Sequence, residues 1–267
     1  MSNLSSKTIV VTGSNGLIGS KLVEKLVEQK SNIIAVDIAY KNPTILEESK
    51  KINQYNQIQF IGCDILDEKQ LEEKIKEYFN YFGSIDGLVN CAAIDFIPSE
   101  ESDNSFENLD ILEFQNILNI NVTGQVLCSR IVGELMKKNN IKGSIVNINS
   151  IYGKVSPRQD IYDHIKINGE SYKKPIVYSI SKSALTNFTR YLATYWGKSG
   201  IRVNEVVFGG VYNNQDGEFV SKYIDNVPLG RMANIEECIG PITFLLSDES
   251  SYMTGSELIV DGGWMAW

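Results

Sequence analysis

The chain contains a single histidine, His164, so any Ser-His-Asp or Cys-His nucleophile scheme would have to recruit that one imidazole. Most zinc sites need more than one, and no metal is expected. The four cysteines, Cys63, Cys91, Cys128 and Cys238, are scattered, form no Cys-x-x-Cys pair and read as reduced and structural. Nowhere do eighteen apolar residues follow one another, and the start, Met1 to Lys7, runs into an apolar strand pattern without a signal-peptide core. The expected compartment is therefore the cytoplasm, with no membrane partner. Positive charge is also short, 25 Lys and Arg against 33 Asp and Glu for a net charge of -8, which argues against a nucleic-acid surface. Small molecules are the expected partners. No Pro/Gly/Ser-rich linker or internal repeat divides the 267 residues, 43% of them hydrophobic, so one domain over 1–267 is expected.

What the chain does have is an alternation of apolar runs and helical patterns. The run Thr8 to Thr12 reads as a buried strand, followed by Gly13-Ser-Asn-Gly16-Leu-Ile-Gly19 and a helix with Leu22, Val23, Leu26 and Val27 on one face. Such a turn also fits ordinary chain reversal. Strand before and helix after favour a nucleotide, because glycines admit a pyrophosphate to the free N–H groups of the helix start. The strand Asn32 to Asp37 ends in a carboxylate where an adenosine ribose would lie; Asp37 can accept both ribose hydroxyls and would repel a 2′-phosphate. With no Lys or Arg in the glycine turn, NAD is expected over NADP. Further strands run over 58–63, with Asp64 just beyond, over 85–90, ending in Asn90-Cys-Ala-Ala93, over 143–150, ending in Ser150, and over 201–207 and 257–260. Helices are expected over 68–82, 110–138 and from Tyr178 to about Trp196. The alternation predicts an α/β fold: one Rossmann-type, doubly wound parallel sheet with helices on both faces.

Tyr178-Ser-Ile-Ser-Lys182 places a phenol and an ammonium four residues apart, on one helix face. An unperturbed phenol titrates near pH 10 and is a poor base at neutrality until nearby positive charge stabilises its anion. The same spacing occurs on ordinary helix faces. Its meaning rests on the company it keeps.

Taken together, Thr12-Gly13, Gly16, Gly19, Asp37, Asp64, Asn90-Cys-Ala92, Asn121, Ser150, Tyr178 with Lys182, Arg202-Val-Asn204 and Val260-Asp261-Gly262 resemble the short-chain dehydrogenase/reductase family over nearly the whole chain. The resemblance implies a nicotinamide cofactor and hydride transfer at an alcohol or ketone carbon. It implies that Tyr178 is the acid/base, that Ser150 hydrogen-bonds the reacting oxygen and that Asn121 holds a water beside Lys182. Lys182 would bind the nicotinamide ribose and, with the oxidised nicotinamide, lower the phenol by roughly three pH units, or about 4 kcal/mol. Gly13, Asn15, Leu17, Ile18 and Gly19 would line the phosphates, Asp37 the ribose, Asp64 and Ile65 the adenine, and Asn90, Ala92 and Val211 the remaining cofactor wall. Leu17, the Gly16 spacing and Phe208-Gly209 depart from the usual pattern of the family. A homodimer or homotetramer is expected by resemblance, with the apolar end Gly263 to Trp267 at or near a contact.

Ser150 and Tyr178 stand 28 positions apart, more than the family usually needs, so residues 151–177 form an extended substrate-side insert. It carries Lys154, Arg158, His164, Lys166, Lys173 and Lys174 against three acids, which suggests a polar, anionic sugar, sugar phosphate or nucleotide sugar held by Arg158 and Lys173, with Asn213 and Gln215 offering amides to hydroxyls. A solvated surface loop fits the same composition. Two stretches, Ser150-Ile-Tyr-Gly153 and Gly209 to Gln215, resemble dehydrogenases of bacterial surface-sugar pathways of the legionaminic-acid and amino-sugar kind. The alternatives are a 3-oxoacyl-carrier-protein reductase, usually NADPH-dependent, and a non-catalytic NAD-binding sensor or scaffold.

Overall fold

A computed structural model describes residues 3–51, 57–95 and 105–267. Seven strands form one parallel sheet: β1 (Thr8–Thr12), β2 (Asn32–Val36), β3 (Ile58–Ile61), β4 (Gly87–Asn90), β5 (Ser144–Ser150), β8 (Arg202–Phe208) and β9 (Glu257–Val260), in the order β3-β2-β1-β4-β5-β8-β9. Parallel strands covered on both faces require apolar side chains pointing both ways, and β1 is buried along its whole length. Its Ile9 and Val11 face one layer and Val10 the other, with Ile33 and Ala35 opposed to Ile34 and Val36 in β2 in the same way.

The first layer is α1 (Leu17–Glu28) and α8 (Ile235–Leu246), which bring Leu22, Leu26, Ile239 and Ile242 onto the sheet. On the other face lie α3 (Glu68–Phe82), α5 (Gln125–Lys138) and α6 (Ile176–Trp196), through Leu71, Ile75, Val132, Met136, Leu192 and Trp196. A short α2 (Pro43–Lys50) stands after β2, where Asn42 caps the Thr44 N–H and Pro43 opens the first turn. The helix expected over 110–138 is broken: α4 (Ile111–Leu118) passes into a π-helical turn, Asn119–Gly124, before α5 resumes.

Strand order reverses between β1 and β4, so their carboxyl ends diverge into a crevice, the usual ligand position in such sheets. Over it fold residues 151–177, as two 3-10 turns and a hairpin of β6 (Lys166–Ile167) and β7 (Glu170–Ser171). Asn168 and Gly169 carry φ of 51° and 84° at the hairpin turn, the left-handed pair that a two-residue turn demands. Ile151, Tyr152, Ile161, Tyr162, Ile167 and Tyr172 are buried against Tyr223 of α7 (Gly217–Ile224), Met232 and Trp264. The insert thus brings its own apolar core. Of the apolar C-terminus, Trp264 stacks on Tyr223 with ring centroids 4.4 Å apart, while Trp267 is exposed.

Candidate active site

Gly13 follows β1 with φ +64°, and a Cβ there would stand 2.7 Å from the Ala92 backbone. A Cβ on Gly19 would stand 2.1 Å from the Gly13 carbonyl oxygen. The turn is therefore closed to any larger residue at either position. Gly16 precedes α1 with no side-chain cap, leaving the first N–H groups of the helix for an anionic group. Thr12 holds the facing loop, its Oγ1 accepting from the N–H groups of Cys91 and Ala92 at 3.2 and 3.3 Å.

A crevice of about 450 Å³ runs from this turn across the sheet, lined by Gly13, Leu17, Ile18, Asp37, Asp64, Ile65, Ala92, Tyr178 and Lys182 among others. Asp37 shapes its far end: one carboxylate oxygen accepts from the Asn15 N–H and the other from the Ala39 N–H, each at 2.9 Å. Asp64 caps its own turn through Leu66 N at 2.9 Å. A nested phosphate turn, a carboxylate at the ribose distance along β2 and a flat apolar wall fit a dinucleotide.

Two expected members of this wall stand elsewhere. Asn90 is fully buried behind it, its amide nitrogen donating to Ser129 Oγ and Asn147 Oδ1 at 2.8 Å each, while its Oδ1 has no partner among the described residues. Val211 lines a neighbouring cleft instead, and Asn15 reaches the site only through its backbone.

That cleft, about 710 Å³, joins the crevice at Leu17, Ala93, Ile94 and Tyr178. Ser150 enters it from the end of β5 and Tyr178 from the first turn of α6, so both hydroxyls line the same cleft. Lys182, one turn along α6, is buried and donates to the Ile148 carbonyl at 2.9 Å, with Nζ 5.6 Å from the Tyr178 ring centre. Desolvation lowers its pKa to about 8. Burial also raises the Tyr178 phenol, the Asp95 carboxylate raises it further, and the Ser150 hydroxyl lowers it. The phenol is thus held above its ordinary range. Asn121 sits in the π-turn with its side chain fully engaged: Nδ2 donates to the Ile94 carbonyl at 2.8 Å and Ser181 Oγ at 3.0 Å, and Oδ1 accepts from Ile94 N at 2.8 Å. Both amide hydrogens are spent on protein atoms.

Residues 13–265 match the family model described as Enoyl-(Acyl carrier protein) reductase, a short-chain dehydrogenase model. The chain belongs to the short-chain dehydrogenase/reductase family. Family relatives span its whole length. Post-translational flagellin modification protein A of Campylobacter coli is 28% identical over 261 residues, covering 98% of this chain and 99% of that protein. The 2,5-dichloro-2,5-cyclohexadiene-1,4-diol dehydrogenase of Sphingobium indicum is 33% identical over 275 residues, covering 100% of both. A short chain dehydrogenase of Leptospira borgpetersenii, solved with bound NAD+, superposes with a TM-score of 0.83 at 32% identity, covering 98% of this chain and 94% of that one. Members of the family are oxidoreductases.

The substrate side of this short-chain dehydrogenase differs from the sequence expectation. Arg158 and Lys173 do not line the cleft. Arg158 is half exposed and spends its guanidinium on Asp160 and Asn226, and Lys173 pairs with Asp163 at 3.2 Å, because insert acids lie nearer than the cleft does. Lys174 lines it instead, ion-paired with Asp95 and 5.5 Å from the Tyr178 ring centre. Asn213 and Gln215 also line the cleft; Gln215 braces its own loop, accepting from Asn213 N at 2.7 Å and donating to the Val211 carbonyl at 3.0 Å. His164 serves no nucleophile, its Nε2 standing 2.9 Å from Asp216 Oδ1 at the start of α7. Tyr152, Tyr162 and Tyr223 complete the wall; the first two belong to the aromatic-dotted insert, whereas Tyr223 of α7 had no signal in the sequence.

Proposed function

We propose that the chain is an NAD-dependent dehydrogenase acting on a ring carbon that bears a secondary alcohol, in a neutral, hydroxyl-rich sugar or cyclic polyol, or the corresponding ketone in reverse. The observation that carries the reading is the wall opposite Ser150 and Tyr178: tyrosines, the Asn213 and Gln215 amides and one Asp95–Lys174 pair. Tyrosine faces suit the apolar face of a sugar ring, and the amides and the ion pair suit its hydroxyls. The charged groups of the insert are largely paired within the protein, which removes the basis for an anionic substrate. A relative named as the dehydrogenase of a cyclic diol agrees with a hydroxylated ring.

In this reading NAD supplies a hydride acceptor when bound, along the crevice from the glycine turn to Tyr178. Ser150 donates a hydrogen bond to the substrate oxygen, and Tyr178 exchanges a proton with it. Lys182 keeps positive charge beneath the phenol, and Asn121 holds the loop after β4 against α6 through Ile94 and Ser181. Asp37 favours NAD over NADP because a 2′-phosphate would meet its carboxylate.

A 3-oxoacyl-[acyl-carrier-protein] reductase of Buchnera aphidicola, 31% identical over 267 residues, supports a second reading, a reductase of a 3-oxoacyl thioester. One experiment separates the two. Purified protein is assayed for NAD reduction with D-glucose, cis-1,2-cyclohexanediol and myo-inositol, and for NADPH oxidation with an acetoacetyl thioester, alongside Tyr178→Phe. Polyol turnover that is lost in the variant supports the dehydrogenase; thioester turnover with NADPH and silence on every polyol would overturn it.

A further inference from the structure

One buried charge takes no part in that chemistry. Glu205 lies inside β8 opposite Asn147 of β5 and is fully buried. Both its oxygens are engaged: Oε1 accepts from Lys154 Nζ at 2.7 Å and Thr186 Oγ1 at 3.0 Å, and Oε2 accepts from Asn149 Nδ2 at 2.7 Å. Asn149 immediately precedes Ser150 and accepts the Ser150 N–H on Oδ1 at 2.8 Å. Lys154 ends the 3-10 turn that follows Ser150, its N–H donating to the Ile151 carbonyl at 2.8 Å. A single carboxylate therefore ties the residue before Ser150 and the residue four after it.

The tied turn also rests on the helix that carries Tyr178. A Cβ on Gly153 would stand 2.8 Å from the Lys182 carbonyl carbon and 2.8 Å from Asn149 Oδ1, so turn, strand and α6 meet without slack. Lys154 Nζ lies 2.8 Å from Glu257 Oε2 as well, which fastens it to β9. For folding alone, a well-packed apolar pair would serve this position as well as a buried ion pair does.

We infer that Glu205, with Lys154 as its counterion, is a positioning residue for Ser150: the pair fixes the turn from Ser150 to Lys154 so that the Ser150 hydroxyl meets Tyr178 at the mouth of the cleft. The inference rests on the assignment of Ser150 to the substrate oxygen. Its test is the double variant Lys154→Met/Glu205→Leu, which removes both charges while keeping apolar volume. The expected result is a thermal midpoint close to that of the parent, NAD binding unchanged, faster amide hydrogen exchange over residues 150–154, and a kcat with the best polyol lower by on the order of tenfold to a hundredfold. In a Ser150→Ala background the same pair of changes should cost less than about twofold, because Glu205 acts through the missing hydroxyl. Unchanged kcat with Ser150 present, or the same loss with Ser150 absent, overturns the inference. A Ser150→Ala variant with full activity overturns the assignment of Ser150 itself. Should the double variant fail to fold, Lys154→Met alone cuts the rear tie, and Lys154→Arg should retain more kcat than it; equal kcat in the two overturns the inference.

Discussion

Burial of the Lys182 ammonium against the Ile148 carbonyl lowers its pKa to about 8, whereas the same group in an unfolded chain titrates near 10.5. Between those values the unfolded chain holds a proton that the folded chain has released, so stability rises with pH across that window. Below pH 8 the whole penalty, about 3 kcal/mol, is present. Lys182→Met removes it and strands one carbonyl, a loss of about 1 kcal/mol. Its thermal midpoint should therefore exceed that of the parent at pH 7, with the gain gone by pH 10.5, while turnover is lost; a lower midpoint at pH 7 would refute this. Tyr178 is perturbed in the opposite sense. Asp95 raises its phenol, so Asp95→Asn should move the alkaline rise of kcat/KM for alcohol oxidation to lower pH, and an unmoved profile would show that Asp95 does not act on it. Tyr178→Phe, which removes the proton carrier, should lower kcat by about two to four orders of magnitude with NAD binding retained.

At the scale of elements, the π-turn is where chemistry has reshaped a helix. Asn121 returns three hydrogen bonds to Ile94 and Ser181, so Asn121→Ala should cost about 3 kcal/mol and loosen the loop after β4, read as a lower urea midpoint together with weaker NAD binding. Loss of stability with NAD affinity intact would separate the two roles. Gly19→Ala, which drives a Cβ into the Gly13 carbonyl, should weaken NAD binding by more than about tenfold with little change in fold. These elements were unequally legible. Apolar runs with strand periodicity gave the sheet, since a strand buried on both faces leaves its mark in consecutive residues such as Ile9, Val10 and Val11. The π-turn left only a polar Asn in a helical pattern, because one extra residue displaces the apolar spacing by a single position, which a broad apolar stripe absorbs. The 166–171 hairpin was written as Asn168-Gly169 and could have been read from that pair. Helices α7 and α8 lay in a stretch where Pro, Gly and Asn obscure the apolar spacing, and α8 even accommodates Pro241. Where Arg158, Lys173 and Lys174 point was beyond sequence: all three are basic, and only the third dimension shows which of them meets an acid of the insert and which meets the cleft.

The molecule as a whole is acidic, with a net charge of -8, and its cleft does not reverse that sign: Lys174 is set against Asp95 and Asp216. Among the described residues, folding pairs most of the insert's basic side chains, Arg158 with Asp160 and Lys173 with Asp163, which leaves little free positive field for an incoming substrate. This fixes the response to substrate charge and to salt. A neutral polyol should show kcat/KM nearly independent of ionic strength between about 0.02 and about 0.3 M, because it feels no net field. Glucose 6-phosphate should be at least about tenfold poorer than glucose, with kcat/KM climbing as salt screens its repulsion from the acidic surface. An anion-binding insert predicts the reverse, a preferred phosphorylated sugar whose kcat/KM falls with salt. Lys174→Met sharpens the contrast: among the described residues it removes the cation that the cleft sets against Asp95, so the disfavour toward the phosphorylated sugar should deepen while glucose loses only the contact. Steady-state kinetics of parent and variant on the two sugars, at the two ends of the salt range, decides between a cleft built for hydroxyls and a cleft built for phosphate.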